Sequence, residues 1–373
     1  MELKKLGFGM MRMPLVEKKD QTKVDIEQVC RMVDAFLEQG FTYFDTAYMY
    51  HEYASERVVK KVLVDRHPRE SFLLATKLPT MMLSKKEDME RIFNEQLEKC
   101  GVEYFDYYLL HCLDTRNYDI CKRLGCFEFA MQKKKEGKIR KLGFSFHDKA
   151  DILDMILKEH PEVEFVQLQI NYLDWENENV QSRKCHETAV KHGKDIIVME
   201  PVKGGMLAQI PDKAEELLKE YNADSSMASW AIRYAASLEN VFMVLSGMSS
   251  YEQMMDNLSY MKEFQPFTEE ESRLVEQAVD IINTSIAIPC TNCRYCVEGC
   301  PKKIPIPEFF KIYNQYARFK EGSRTRGRYR NLTKEYGKAS ECVACGNCER
   351  HCPQSLKISD YMKEISAVYD NKI

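Results

Sequence analysis

DIEQVCRMVDAFLEQGFTYFDTAYMY, residues 25–50, holds a helix, a stop, a strand and a run of polar residues in that order. Ile26, Val29, Met32, Val33, Phe36 and Leu37 recur at three- and four-residue spacing, which puts them on one helical face, and Gly40 ends the helix. FTYFD (41–45) is then a short apolar run suited to a buried strand. The same alternation extends outward on both sides. LGFGM (6–10), FLLAT (72–76), FDYYLL (105–110), IRKLGFS (139–145), EFVQLQ (164–169), DIIVM (195–199) and VFMVLS (241–246) are apolar runs. Amphipathic segments of helix length separate them, among them DMERIFNEQLEKCG (88–101). Strand then helix, repeated, predicts a parallel sheet, because parallel strands need crossover connections. Eight such units in about 260 residues match a closed (β/α)8 TIM barrel, an α/β fold, in count and length. An open doubly wound sheet is the competitor. No strand, however, is followed by a glycine-rich dinucleotide fingerprint, and LGFGMM has only two of its glycines.

The chain of 373 residues is 44% hydrophobic and 30% charged, a balance that excludes wholesale disorder. A net charge of −4 argues against non-specific nucleic-acid binding by the whole molecule. No apolar run approaches the roughly 18 residues that a membrane span needs, and MELKKLGFG lacks the apolar core of a signal peptide. Fourteen cysteines in such a chain point to reduced thiols and a cytoplasmic location.

Six of those cysteines are scattered through the first half without ligand spacing and read as core or surface thiols. The other eight fall into two runs, Cys290-x2-Cys293-x2-Cys296-x3-Cys300-Pro301 and Cys342-x2-Cys345-x2-Cys348-x3-Cys352-Pro353. Each is the run of bacterial two-cluster ferredoxins, in which the fourth cysteine ligates the other cluster. The expected ligands of one 4Fe-4S cluster are therefore Cys290, Cys293, Cys296 and Cys352, and of a second 4Fe-4S cluster Cys342, Cys345, Cys348 and Cys300. A pair of zinc sites is the competing reading, but zinc sites usually come as separated C-x2-C pairs. The expected division is a barrel over 1–285 and a C-terminal ferredoxin-like iron–sulfur domain over 286–373. The basic stretch between the runs, with Arg324, Arg326, Arg328 and Arg330, suits a solvated face. The sharper reading is a grip on phosphate or on an acidic external electron carrier.

Asp45 closes FTYFD, Tyr50 follows five residues later, Lys77 closes FLLATK and His111 closes FDYYLLH. Strand ends form the catalytic face of such a barrel. Singly these are a helix cap, a solvated lysine and a surface histidine. Together they form a proton-transfer set. A tyrosine with a pKa near ~10 donates a proton poorly until a neighbouring ammonium lowers that value. Lys77 supplies the ammonium, Asp45 aims it, and His111 orients a carbonyl or stabilises oxyanion charge.

The motifs DTAYMY, LLATK, FDYYLLH, KLGFSFH, VQLQINY, IIVMEPVKGGML and GMSSYEQMMDNL resemble the aldo/keto reductase superfamily, in order, over about 260 residues. With the cysteine runs, the whole chain resembles the branch that fuses such a barrel to a two-cluster ferredoxin domain. The resemblance implies Tyr50 as general acid, Lys77 and Asp45 as its tuners and His111 as the fourth member. It also implies that Ser145 and Gln167 contact a nicotinamide carboxamide and Asn257 the adenine of NAD(P)H.

The sequence departs from the family at the cofactor site. Met199 and Glu200 stand where an aromatic residue usually stacks on the nicotinamide. Gly247, Met248 and Gln253 replace the Lys, Ser and Arg of a 2′-phosphate clamp. A nicotinamide moves a hydride while 4Fe-4S clusters move single electrons, and a flavin joins the two chemistries. FMN therefore stands beside or in place of NAD(P)H. Its phosphate would lie after strands 7 and 8, near Gly204 and Gly205 and near Ser246 and Gly247. The expected function is an iron–sulfur oxidoreductase acting on a small carbonyl-type substrate. The alternative is an electron-transfer protein whose barrel binds a flavin or serves as a docking scaffold.

Overall fold

The computed structural model describes residues 3–17, 20–284, 287–319 and 322–370. The expected domain boundary at 285/286 falls outside them, as does the side chain of Arg324. The chain divides into two compact units. The first comprises Met1–Asn177, Gln181–Val202 and Ala228–Ser272, and the second Glu178–Val180, Lys203–Met227 and Arg273–Ile373.

The first unit is the barrel. Its strands are β1 (Leu6–Gly9), β2 (Tyr43–Asp45), β3 (Leu73–Leu78), β4 (Phe105–Leu113), β5 (Ile139–Phe146), β6 (Phe165–Gln169), β7 (Asp195–Met199) and β8 (Val241–Ser246). All pair in parallel and in sequence order, and β1 closes on β8. Every apolar run expected to be a strand is one. The amphipathic segments form helices such as Ile26–Glu38 and Glu87–Cys100. Gly101 caps the latter at φ +70°, a left-handed conformation that glycine adopts without a Cβ penalty.

Two apolar layers hold the barrel together. Tyr43, Ala75, Leu109, Phe165, Ile197 and Met243 fill its interior. Phe8, Val33, Phe36, Phe44, Phe93 and Tyr108 belong to a larger buried layer. The register then fixes the polar residues. Asp45 pairs with Ala75 and Lys77 with Leu109, so Asp45, Lys77 and His111 all lie toward the C-terminal ends of β2, β3 and β4.

The second unit has no β-strand among its described residues. Ile288, Ile304, Ile306, Phe309, Phe310 and Ile365 centre a small core. Helices Ile306–Phe319 and Ile358–Tyr369 supply much of it, and cysteines of both runs pack against it. Helix Gly322–Leu332 carries Arg326, Arg328 and Arg330. No described helix is long and apolar enough to cross a membrane.

Candidate active site and cysteine sites

Lys77 is wholly buried (0% exposed), and its ammonium uses all three donor directions. Nζ donates to Asp45 Oδ1 at 2.6 Å, to the Thr46 carbonyl at 2.8 Å and to Tyr50 Oη at 3.4 Å. Burial pushes the Lys77 pKa down and the Asp45 pKa up, and the pair opposes both shifts. The Tyr50 oxygen accepts from Lys77. His111 meets the Tyr50 ring edge-on, with centroids 6.0 Å apart and planes at 80°. Burial, Lys77 and a second histidine, His147, hold the His111 pKa well below its usual value, so its imidazole is neutral. Thus the four residues expected at the strand ends are brought together.

Backbone geometry aims them. After Tyr50 the chain turns through His51, Glu52 and Tyr53 at φ +51°, +51° and +70°, a left-handed turn of non-glycine residues. Each such residue costs of order 1–3 kcal/mol, so the turn persists only where surroundings fix it. His51 Nδ1 against the Gln21 carbonyl at 2.9 Å is one such tie. A fourth strained residue, Cys112 at φ +59°, follows His111. Three side chains staple that peptide. Thr80 Oγ1 donates to the His111 carbonyl at 2.6 Å, the Cys112 N–H donates to Ser145 Oγ at 2.8 Å, and Asn117 Nδ2 donates to the Cys112 carbonyl at 2.7 Å.

Behind Lys77 lies a buried polar network. Thr76 Oγ1 and Gln96 Nε2 each donate to Glu56 Oε1 at 2.8 Å, Gln96 Nε2 lies 3.0 Å from the Lys77 carbonyl, and Tyr108 Oη donates to Gln96 Oε1 at 2.7 Å. Burial raises the Glu56 pKa. Neither this network nor the Cys112 staple was expected from the sequence. Each residue there is ordinary in isolation, and only DTAYMY continuing to a Glu six residues on hinted at Glu56.

The expected cofactor contacts divide. Gln167 is buried, with Nε2 3.4 Å from Met199 Sδ and Oε1 lacking a hydrogen-bond partner among the described residues. Ser145 Oγ accepts from Cys112 and keeps its O–H to donate. Asn257, by contrast, is occupied: Nδ2 donates to Ser246 Oγ at 2.8 Å and Oδ1 accepts from Tyr260 at 2.6 Å. Gln253 Oε1 accepts the Ser249 N–H at 2.7 Å and so closes the turn after Ser246 and Gly247. Arg12, not singled out from the sequence, packs against Gly247 and pairs with Glu200 at 3.6 Å. Gly204 and Gly205 belong to the second unit.

In that unit the cysteines gather in two fours drawn from both runs. Cys290, Cys293, Cys296 and Cys352 line one cavity with Phe310 and Ile358. Cys300, Cys342, Cys345 and Cys348 line another with Ile304 and Met362. Burial raises the Cys296 pKa, and the charges of Cys293, Cys290 and Cys352 add to the rise. Burial likewise pushes Cys348 up to about 11, with Cys342 and Cys300 among the contributors. Thiolates so crowded need a cationic centre to neutralise them. Among the described residues no group of three or more His, Cys, Asp or Glu is set to hold a single metal ion. Exposure differs between the fours, for Cys296 is buried and Cys345 exposed.

The aldo/keto reductase family model matches residues 5–280, and a 4Fe-4S dicluster domain model matches residues 289–356. An aldo-keto reductase of Mycobacterium avium is 26% identical over 237 residues, covering 63% of this chain and 77% of that protein. An aldo-keto reductase from Bacillus halodurans, solved in its holo form, superposes with a TM-score of 0.58 at 26% identity, covering 74% of this chain and 91% of that one. One from Klebsiella pneumoniae, in complex with NADP and acetate, gives a TM-score of 0.57 at 17% identity, covering 74% and 91%. The chain is an oxidoreductase that belongs to the aldo/keto reductase family and carries a C-terminal 4Fe-4S domain.

Proposed function

We propose that this oxidoreductase interconverts a small carbonyl compound and its alcohol with Tyr50 as general acid, and that its eight clustered cysteines hold two 4Fe-4S clusters in the crossed ligation of the two fours. The observation that carries the catalytic part is the buried Lys77 ammonium, 2.6 Å from Asp45 and 3.4 Å from Tyr50 Oη. Because Lys77 donates to the Tyr50 oxygen, the phenolic proton is directed away from it, toward a substrate carbonyl. As that proton leaves, the ammonium stabilises the phenolate, and Asp45 keeps the ammonium charged in a buried place. Neutral His111 positions the carbonyl by hydrogen bonding without adding charge.

The residues fit a nicotinamide carboxamide. Gln167 Oε1 would accept from its amide, and the Ser145 O–H would donate to its oxygen. NAD(P)H, when bound, would supply the hydride, and clusters held by the two fours of cysteines would supply one-electron chemistry toward an external carrier. The 2′-phosphate of NADPH finds Arg12 near Gly247 rather than a lysine and arginine clamp. The occupied Asn257 and the closed turn after Gly247 offer little to an adenine, which favours FMN as the alternative occupant.

Tyr50→Phe tests the acid role. Turnover of any carbonyl substrate should fall by about 10²–10⁴-fold, the usual worth of a positioned acid. Unchanged turnover would remove Tyr50 from the mechanism. The visible spectrum of anaerobically purified protein separates the cofactor schemes: flavin bands over the cluster absorption establish FMN, and cluster absorption alone leaves NAD(P)H.

A further inference from the structure

Lys203 lies four residues after the end of β7 yet belongs to the second unit. Its side chain is only 1% exposed, and Nζ donates to Gln354 Oε1 at 2.9 Å. Gln354 stands two residues after Cys352 and lines the cavity of Cys290, Cys293, Cys296 and Cys352. The neighbouring Gly204 touches the other cysteine run. A methyl group there would lie 2.0 Å from the carbonyl oxygen of Thr291, the residue between Cys290 and Asn292. Gly204 sits at φ +65° and Lys203 at φ +47°, so the loop adopts a left-handed path that presses it against both runs. One ammonium is thereby fixed in a buried position beside one four of cysteines. The other cavity is lined by residues of 299–306, 342–348 and 358–362, and its lysine, Lys302, is exposed to solvent. Its Cys345 is exposed and the nearby Val343 is 56% exposed.

We propose that Lys203 sets the two clusters apart in reduction potential, raising that of the cluster held by Cys290, Cys293, Cys296 and Cys352 above that of its solvent-open neighbour. This rests on the crossed ligation proposed above. On reduction a cluster gains one electron from a low-potential one-electron carrier, and its net charge becomes more negative by one. A buried positive charge favours the more negative state, and low local dielectric magnifies the effect relative to water. Electrons entering at the exposed cluster then collect at the buried one.

The test is a redox titration of the full-length, anaerobically purified protein with dithionite and mediators, each cluster followed by its EPR signal. In Lys203→Met one midpoint should fall by at least about tenfold in the reduced-to-oxidised ratio, 59 mV for a one-electron couple, while the other stays. Lys203→Arg should retain the original value. Gln354→Glu, which pairs the ammonium with a carboxylate, should lower the same midpoint, and Cys352→Ser identifies it by disturbing that signal. Unmoved midpoints with both clusters intact, or equal shifts of both, would overturn the assignment. So would loss of a cluster without a shift in both Lys203→Met and Gln354→Glu, which would make the lysine a structural prop. A wild-type iron and sulfide content short of two clusters would instead defeat the ligation reading itself.

Discussion

The barrel site and the cysteine lobe are organised by opposite means. In the barrel, strand register places Asp45, Lys77 and His111, and fixed protein partners answer their charges: a carboxylate for the ammonium, a carbonyl for its second proton, a staple of three side chains for the strained Cys112 peptide. The cysteines have no strand to hold them. They ring two cavities on loops around a small core, and thiols of one four lie within electrostatic reach of one another. The first arrangement answers its ammonium within the protein, while Asp45 Oδ2 and His111 Nδ1 have no hydrogen-bond partner among the described residues. The second gathers four thiols around each cavity and needs an occupant to balance their charge. A scaffold can therefore preorganise a proton-transfer site, whereas a thiolate site is finished only by the metal it holds.

Removing iron and sulfide should break the comparison most visibly. With chelator under reducing conditions, hydrogen exchange is expected to accelerate throughout 287–370 while β1–β8 stay protected. Equal protection of both units after iron loss would show that the lobe stands without its clusters.

The next effect concerns the buried pair. Lys77→Met leaves Asp45 without its partner and should destabilise the barrel by about 3–5 kcal/mol in chemical denaturation. Changing both residues, Lys77→Met with Asp45→Asn, should recover much of that loss while activity stays absent. Failure of the double variant to recover would mean that stability rests on the Thr46 and Tyr50 contacts instead.

The smallest effect is a pH slope. His147 is pushed down to about 4 by burial, from an ordinary 6.5. The unfolded chain thus takes up this proton first as pH falls, and the folded chain only near the lower value. Stability present above about 6.5 should decline as pH drops toward 4, by up to about 1.4 kcal/mol per unit for each such histidine. His111, also held low, adds to the slope. Urea midpoints at pH 7 and pH 5 measure the decline, and His147→Gln should flatten it. An unchanged slope in that variant would show that His147 does not contribute.

Much of the site was legible because its signals are local. A polar residue at a strand end is marked by the strand before it, so FTYFD, FLLATK and FDYYLLH exposed the candidates Asp45, Lys77 and His111 together. The partners that hold them were not legible. Thr80, Asn117 and Gln96 are common polar residues whose meaning depends on which carbonyl the fold brings near. His147 stood in KLGFSFH without a mark, since its burial beside His111 follows from the neighbouring ends of β4 and β5.

The sequence by itself determined the alternation of strand and helix, the barrel it closes, and the two cysteine runs, because periodicity, glycine stops and ligand spacing act over a few residues. Tertiary structure alone decided that the Lys203 ammonium meets Gln354, 151 positions away. It also drew Cys352 to the first run and Cys300 to the second, the crossing that the spacing of the fourth cysteines predicts. Short-range pattern fixes backbone conformation. Which charges then face one another depends on packing and register, quantities that exist only once the whole chain has closed.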